Sequence, residues 1–255
     1  TGIVYYSGKL SQQILCRKSK IKYFNIPIIK NNQILDFKPR DYQLEAYNSL
    51  KDCNRSILSM PCGTGKTFVS FLLSLDYKNI FILTPLISTT EQILNHYKNY
   101  YSKYDNINYV LINCKAERNV NNIKLTNKNI IASTYDSSDV ILKILDKTNL
   151  EDNLIIIDEF HNLSTDMITN NKNNMNKILV SKNKIMYMSA TPLNTTYTSM
   201  QPLDATNCKD IFGENKYELS WTDAIKNNYI CDYNSCIWKN SKRYYKHYLK
   251  YIVKY

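Results

Sequence analysis

Short apolar runs, rich in β-branched residues, recur along a chain otherwise dominated by Asn, Lys and Tyr. Ser56 to Ser59, Asn79 to Thr84, Tyr109 to Asn113, Asn129 to Thr134, Leu154 to Ile157 and Lys184 to Ser189 each have the length of a buried strand. The intervening segments change period. Leu44, Tyr47 and Leu50 recur at helical spacing, Phe68 to Leu75 continues one run as a helix, and a further helix is expected from about Ser138 to Lys147. Ser88 and Glu91 have the spacing of a capping box for a helix reaching roughly Tyr104. Strands joined by helices predict an α/β fold, a mostly parallel central sheet with helices on both faces.

The flanks read differently. Residues 1–36 alternate loosely, with Arg17, Lys18, Lys20 and Lys22 ahead of two runs joined at Asn31-Asn32, as expected of a basic β arm. Residues 37–220 form the α/β domain and 221–255 an exit segment, with one helix from Trp221 to Asn227 and another from Ser241 to Tyr255. The Asn-rich stretch Asn170 to Asn176 is expected to be a solvated, mobile connector.

At 255 residues and 44% hydrophobic content the chain can bury one substantial core. No apolar run approaches the roughly 20 residues of a membrane span, so no membrane partner is expected. The start, Thr1-Gly-Ile-Val-Tyr-Tyr, lacks an initiator Met and a secretory layout, as in a fragment or processed piece. Seven cysteines without C-x-x-C spacing predict a reducing, intracellular compartment with buried thiols and no zinc site. The Asn, Lys, Ile and Tyr bias suggests an AT-rich coding sequence, as of a large DNA virus, a cytoplasmic plasmid or an AT-rich parasite. A net charge of +11 makes a polyanion, DNA or RNA, the expected partner.

The chemistry concentrates where the run Ser56-Ile-Leu-Ser-Met-Pro-Cys-Gly-Thr-Gly-Lys-Thr67 passes from strand into helix. Gly63 and Gly65 let the backbone curl its N–H groups inward around Thr64, Lys66 brings a positive charge to the β/γ-phosphates, and Thr67 offers a hydroxyl to Mg²⁺. Met60 stands where this phosphate-loop pattern has its first glycine. Downstream, Asp158 and Glu159 end a strand, where a parallel sheet holds its ligands. Two such acids call for a cation: Asp158 is assigned to the metal and Glu159 to activating water. Lys66 and this pair are expected to converge from adjoining strand tips. Gln43 carries an amide with the donor and acceptor an adenine edge requires, and Thr84-Pro85 at a strand end suits backbone phosphates.

Together these segments resemble the first motor domain of a superfamily 2 helicase of the DExH kind, related to restriction-type translocases. The matching pieces are Arg40-Asp-Tyr-Gln43, Met60 to Thr67, Thr84-Pro85-Leu86, Ser133-Thr134-Tyr135, Asp158-Glu-Phe-His161 and Ser189-Ala-Thr-Pro192. The resemblance implies a RecA-like P-loop NTPase fold with ATP and Mg²⁺ as cofactors. Gln43 would then contact adenine, with Arg40 or Phe37 against the base. Lys66, Thr67, Asp158 and Glu159 would hold and activate Mg·ATP. Thr84, Pro85, Ser133 and Thr134 would face nucleic acid, and His161, Ser189 and Thr191 would couple hydrolysis to motion of a second RecA-like domain. Such a domain carries an arginine finger, worth on the order of 10³–10⁵ in rate, so residues 1–255 alone are expected to bind nucleotide and hydrolyse it weakly. The same chemistry also serves ATPases that remodel protein–nucleic acid complexes without unwinding. A non-catalytic polynucleotide-binding or virion structural role is the third reading.

Overall fold

The computed structural model describes residues 38–114, 116, 118–190 and 209–231, together with the backbone of short strands at 196–197, 202–203, 234–236 and 250–252. The basic arm, Phe37 and Thr191 lie outside the described residues.

In chain order the elements are α1 Asp41–Leu50, β1 Arg55–Ser59, α2 Lys66–Ser74, β2 Asn79–Thr84, α3 Ile87–Tyr100, β3 Ile107–Ile112, β4 Lys128–Thr134 and α4 Ser138–Leu145. They continue with β5 Asn153–Asp158, α5 Thr165–Thr169, α6 Asn174–Leu179, β6 Lys184–Ser189, β7 Thr196–Tyr197, β8 Pro202–Leu203, α7 Lys209–Phe212, β9 Asn215–Glu218, α8 Trp221–Lys226, β10 Asn234–Cys236 and β11 Lys250–Ile252. Seven strands form one sheet in the order β3-β4-β2-β5-β6-β1-β9, and every pairing in it is parallel.

Successive residues of each strand feed opposite faces, as the period of two requires. Leu58, Ile80, Ile82, Ile130, Leu154, Ile156 and Met186 pack into one core with α1, α2, α3 and α8. Ile57, Phe81, Leu83, Ile131, Ile155, Ile157 and Tyr187 pack into the other with α4, α5, α6 and Phe212. Burial on both faces explains why these strands read as near-continuous apolar runs. An all-parallel sheet with helices on both faces is the RecA-like arrangement expected from the sequence. On the first face Ser70 and Ser74, one turn apart on α2, meet the phenols of Tyr97 on α3 and Tyr101 at its C-cap, at 2.9 and 2.8 Å.

Several expectations are corrected. The helix after β2 begins two residues earlier than the Ser88–Glu91 box requires. Thr84 and Thr90 both donate hydroxyls to the Leu86 carbonyl, at 3.0 and 2.9 Å, and Thr90 N–H joins them, which makes Leu86 the N-cap and leaves Ser88 inside the first turn. Asn170 to Asn176 is a solvated connector only in part: Asn171 and Lys172 are exposed in a turn, while α6 begins at Asn174. Asn170 and Asn173 bind the Asp166 carboxylate, the Asn173 side chain caps α6, and Asn176 is buried with its amide on the Ile168 carbonyl.

The sheet also has a strand that the apolar pattern does not predict: β9 is short, polar and at the edge, where only its backbone is needed. Lys250–Ile252, assigned to a terminal helix, instead pairs antiparallel with Asn234–Cys236; its tyrosine and isoleucine favour strand. Among the described cysteines none is a buried thiol: Cys62 and Cys114 are exposed, Cys53 and Cys231 half-buried. Ala224 and Ile230 belong to the first core, so packing continues past residue 220. Among the described residues no helix is long and apolar enough to cross a membrane.

Candidate active site

The β1–α2 loop takes the shape its glycines permit. Gly63 has φ +82° and Gly65 φ +90°, the left-handed region that side chains disfavour. Met60 has no positive φ, and its side chain is fully buried in the first core, so this position has no need of glycine. Gly65 caps α2, its carbonyl accepting from Phe68 and Val69 at 2.9 and 3.1 Å. Lys66 folds back over the loop, its Nζ donating to the Met60 carbonyl at 3.1 Å. Thr67 lies half-buried in the first turn of α2.

Helix α1 braces this loop from the side. Gln43, 6% exposed, donates through Nε2 to the Thr64 carbonyl at 2.8 Å and accepts at Oε1 from the Arg40 N–H at 2.9 Å. Tyr42 donates its hydroxyl to the same Thr64 carbonyl at 2.9 Å. The Arg40 guanidinium bonds the Tyr42 hydroxyl at 2.9 Å and the Tyr229 carbonyl at 3.4 Å, and the Tyr42 and Tyr229 rings lie 4.2 Å apart. The sequence assigns no role to Tyr229, nor to Tyr42 although it stands within Arg40-Asp-Tyr-Gln43, because neither belongs to the phosphate-loop pattern. Gln43 therefore already holds the loop, with one amide proton and one lone pair left for a base.

The acids stand at the tip of β5. Strand β6 lies between β5 and β1, so the two halves of the site do not come from adjoining strands as expected; the tip of β6, with Ser189, sits between them. Burial, and then repulsion from Glu159, push the Asp158 carboxyl up to about 6, against the opposing pull of Lys66. The Lys66 charge is thus near enough to act on Asp158. Glu159 has left-handed backbone, φ +52° and ψ +46°. Phe160 turns inward, fully buried against Tyr187 and Phe212 with ring centroids 5.7 and 5.4 Å away, which accounts for a large residue in this slot.

His161 and Ser189 meet at Glu159. The His161 Nδ1 lies 2.7 Å from Ser189 Oγ and 3.3 Å from Glu159 Oε2, and Ser189 Oγ is 3.4 Å from that same oxygen. Asn162 fixes the polarity. Its Nδ2 donates to the Glu159 carbonyl at 3.1 Å and lies 3.1 Å from His161 Nε2, so Nε2 accepts. In neutral His161 the proton then sits on Nδ1, and hydrogen bonds run from His161 through the Ser189 hydroxyl to Glu159 Oε2. Asn162, an exposed residue beyond the motif, was not anticipated.

The residues assigned to nucleic acid share the same edge of the sheet but are mostly covered. Thr84 and Ser133 are fully buried and Thr134 is 5% exposed, with their hydroxyls bonded to Leu86, Thr134 and Ser137 respectively. Pro85 is half-buried. Contacts with a backbone at these tips would pass through amide groups or exposed neighbours such as Ser88.

Residues 36–194, more than half of the chain, match the family described as type III restriction enzyme, res subunit. Over 216 residues the chain is 26% identical to a probable helicase of African swine fever virus, covering 76% of this chain and 23% of that protein. It is 25% identical over 209 residues to the early transcription factor 70 kDa subunit of Melanoplus sanguinipes entomopoxvirus, covering 77% and 28%. The chain thus spans about a quarter of the length of these relatives. Among solved structures it resembles the ATP-dependent type ISP restriction–modification enzyme LlaBIII bound to DNA, with a TM-score of 0.57 at 22% identity, over 85% of this chain and 17% of the other. A variant of S. cerevisiae Dbp5 bound to RNA and ADP BeF3 gives a TM-score of 0.52 at 20% identity, over 73% and 47%. At these identities the structural likeness speaks to the fold.

Proposed function

Because this chain belongs to the restriction-type family of superfamily 2 helicases, the type III res-subunit family, we propose that it binds Mg·ATP at the β1–α2 loop and hydrolyses it while engaged with a DNA or RNA backbone, as the first motor domain of an ATP-dependent helicase or translocase. The observation that carries this reading is that Lys66, after the tip of β1, lies near enough to the acids at the tip of β5, with only β6 between, for its charge to act on a carboxyl that burial and Glu159 hold near 6.

The residues fit the cofactor. A buried carboxylate beside a second acid is relieved by a divalent cation, and Asp158 with the Thr67 hydroxyl would hold one. Magnesium, when bound, supplies charge to offset that of the phosphate oxygens. Lys66 exchanges the Met60 carbonyl for phosphate, and the N–H groups of Gly63 to Thr67 close around it. Glu159 is the base. Its Oε2 is engaged by Ser189 and His161, which leaves the other oxygen to take a proton from water. Gln43 offers its spare amide proton and lone pair to adenine, beside Arg40.

Among the described residues Arg40, Arg55 and Arg118 bond Tyr42, Leu179 with Ser181 and Ile211, and Asp139. Arg55 and Arg118 are thus committed away from Glu159, and Arg40 to the α1 side of the loop. The arginine finger that this chemistry rewards is assigned to a second RecA-like domain, and residues 1–255 alone to slow turnover. An intracellular setting belongs to the same proposal.

The match to a transcription factor subunit favours a second reading, an ATPase that remodels protein–nucleic acid complexes without unwinding. The test is ATP hydrolysis by the complete protein with and without single-stranded and duplex DNA and RNA, alongside Lys66→Ala and Glu159→Gln. Stimulated hydrolysis lost in both variants is expected. Strand separation identifies a helicase, and displacement of bound protein alone the remodelling motor. Hydrolysis indifferent to both substitutions defeats the proposal.

A further inference from the structure

Tyr135 follows directly on the tip of β4, in a short 3-10 turn Tyr135–Ser137, and is 3% exposed. Its ring belongs to the second core with Leu83, Ile157 and Phe160, so it passes beneath the tip of β2 to reach β5 two strands away. There its hydroxyl donates to the Asp158 backbone carbonyl at 2.5 Å. That carbonyl belongs to the peptide joining the two acids. The next residue, Glu159, holds a left-handed conformation that a glutamate adopts only when its surroundings impose it.

We infer that Tyr135 is a positioning residue for hydrolysis: it fixes the Asp158–Glu159 peptide, and so the aim of the Glu159 carboxylate, from the tip of β4 that is assigned above to the polynucleotide. This role presupposes the Mg·ATP hydrolysis proposed above for the same site. On the far side, the Asn162 N–H and side-chain amide hold the Glu159 carbonyl at 2.9 and 3.1 Å. The strained residue is therefore gripped at the peptide on each side. Release of one grip lets Glu159 relax toward ordinary backbone and swings its side chain out of line. Movement of the Ser133–Thr134 tip under a bound backbone reaches the acids through the same phenol, a rigid lever rather than a loop. A shift of about 1 Å at a catalytic base is worth up to roughly a hundredfold in rate.

Tyr135→Phe keeps the ring and removes only the donor. In the complete protein, kcat and KM for ATP are measured at saturating single-stranded DNA and at saturating RNA homopolymer. Affinities for a fluorescent ATP analogue and for a labelled oligonucleotide are measured in parallel, with the melting temperature. The stimulated kcat is expected to fall about ten- to a hundredfold, with KM and both affinities within about twofold and melting within a few degrees of the parent. A stimulated kcat within twofold of the parent overturns the inference, as does a fall matched by weaker nucleotide binding or by a collapse in melting, which would assign Tyr135 to folding. Failure of the underlying reading shows separately: the parent itself would then hydrolyse no ATP with any polynucleotide, or would do so regardless of Lys66→Ala, and the role of Tyr135 would go with it.

Discussion

Asn129 donates its side-chain amide to the side-chain carbonyl of Asn79 at 2.8 Å, with both residues sealed inside the sheet where β4 meets β2. The contact is one rung of a ladder. Asn108 donates to Asn129 at 3.1 Å, Asn79 to Asn153 at 3.1 Å, Asn153 to Asn183 at 3.0 Å, and Asn183 to the Ser181 hydroxyl at 3.0 Å. The strand register puts Asn108, Asn129, Asn79 and Asn153 opposite one another, at the end of the sheet remote from the phosphate loop. A slip of one residue in any pairing would break the chain of amides and bury its members unpaired, so the ladder specifies register where apolar side chains would tolerate a shift.

Asn79→Ala is therefore expected to destabilise the domain by about 2–4 kcal/mol, because it strands the Asn129 donor and the Asn153 acceptor as well as removing its own bonds. Chemical denaturation measures it. A loss within about 0.5 kcal/mol, the range of an ordinary surface substitution, would mean that the ladder contributes nothing to stability.

The acid pair makes a prediction of opposite sign. The Asp158 carboxyl is pushed up to about 6 from its ordinary 3.8, so the folded chain holds that proton more tightly than the unfolded one. Ionised Asp158 therefore destabilises the metal-free fold above pH 6, and the penalty fades as pH falls from 6 toward 4. Asp158→Asn should be more stable than the parent at pH 8 in EDTA, by up to about 3 kcal/mol, with the gap narrowing at pH 5. It should also abolish hydrolysis. Urea unfolding at the two pH values decides it: equal destabilisation at both would show that Asp158 carries no such strain.

What the sequence disclosed and what it withheld follow one physical division. Strands β2 and β6 were legible to the residue, and β4 and β5 to within one, because a strand covered on both faces must be apolar along its whole length. Lys66, Asp158, Glu159, His161 and Ser189 were legible because each sits in a short motif fixed to a strand tip, and the structure brings them together. Strand β9 was hidden, since an edge strand needs only its backbone. The asparagine ladder was hidden too: Asn is common throughout the chain, and which amides meet is decided by register between segments dozens of residues apart. The order in which β6 slots between β5 and β1 is likewise a property of topology, invisible to local spacing.

The phosphate loop and helix α1 are fitted to each other, and this gives a prediction that separates backbone strain from steric contact. Gly65 has φ +90°, and a Cβ there would meet Gln43 Nε2 at 2.4 Å. Gly65→Ala thus incurs two penalties: the left-handed strain, about 1–2 kcal/mol, and displacement of an amide that holds the Thr64 carbonyl at 2.8 Å. Gln43→Ala alone loses that bond and its partner to Arg40, about 1–2 kcal/mol. In the double variant the clash has nothing to strike, and only the backbone strain should remain of the Gly65→Ala cost. The double variant is then expected to be less destabilised than the two single losses combined, with a coupling of about 1 kcal/mol or more. Denaturation of all four proteins closes the cycle. Additivity to within about 0.5 kcal/mol would mean that Gln43 does not press on the loop in solution, and that α1 does not brace it.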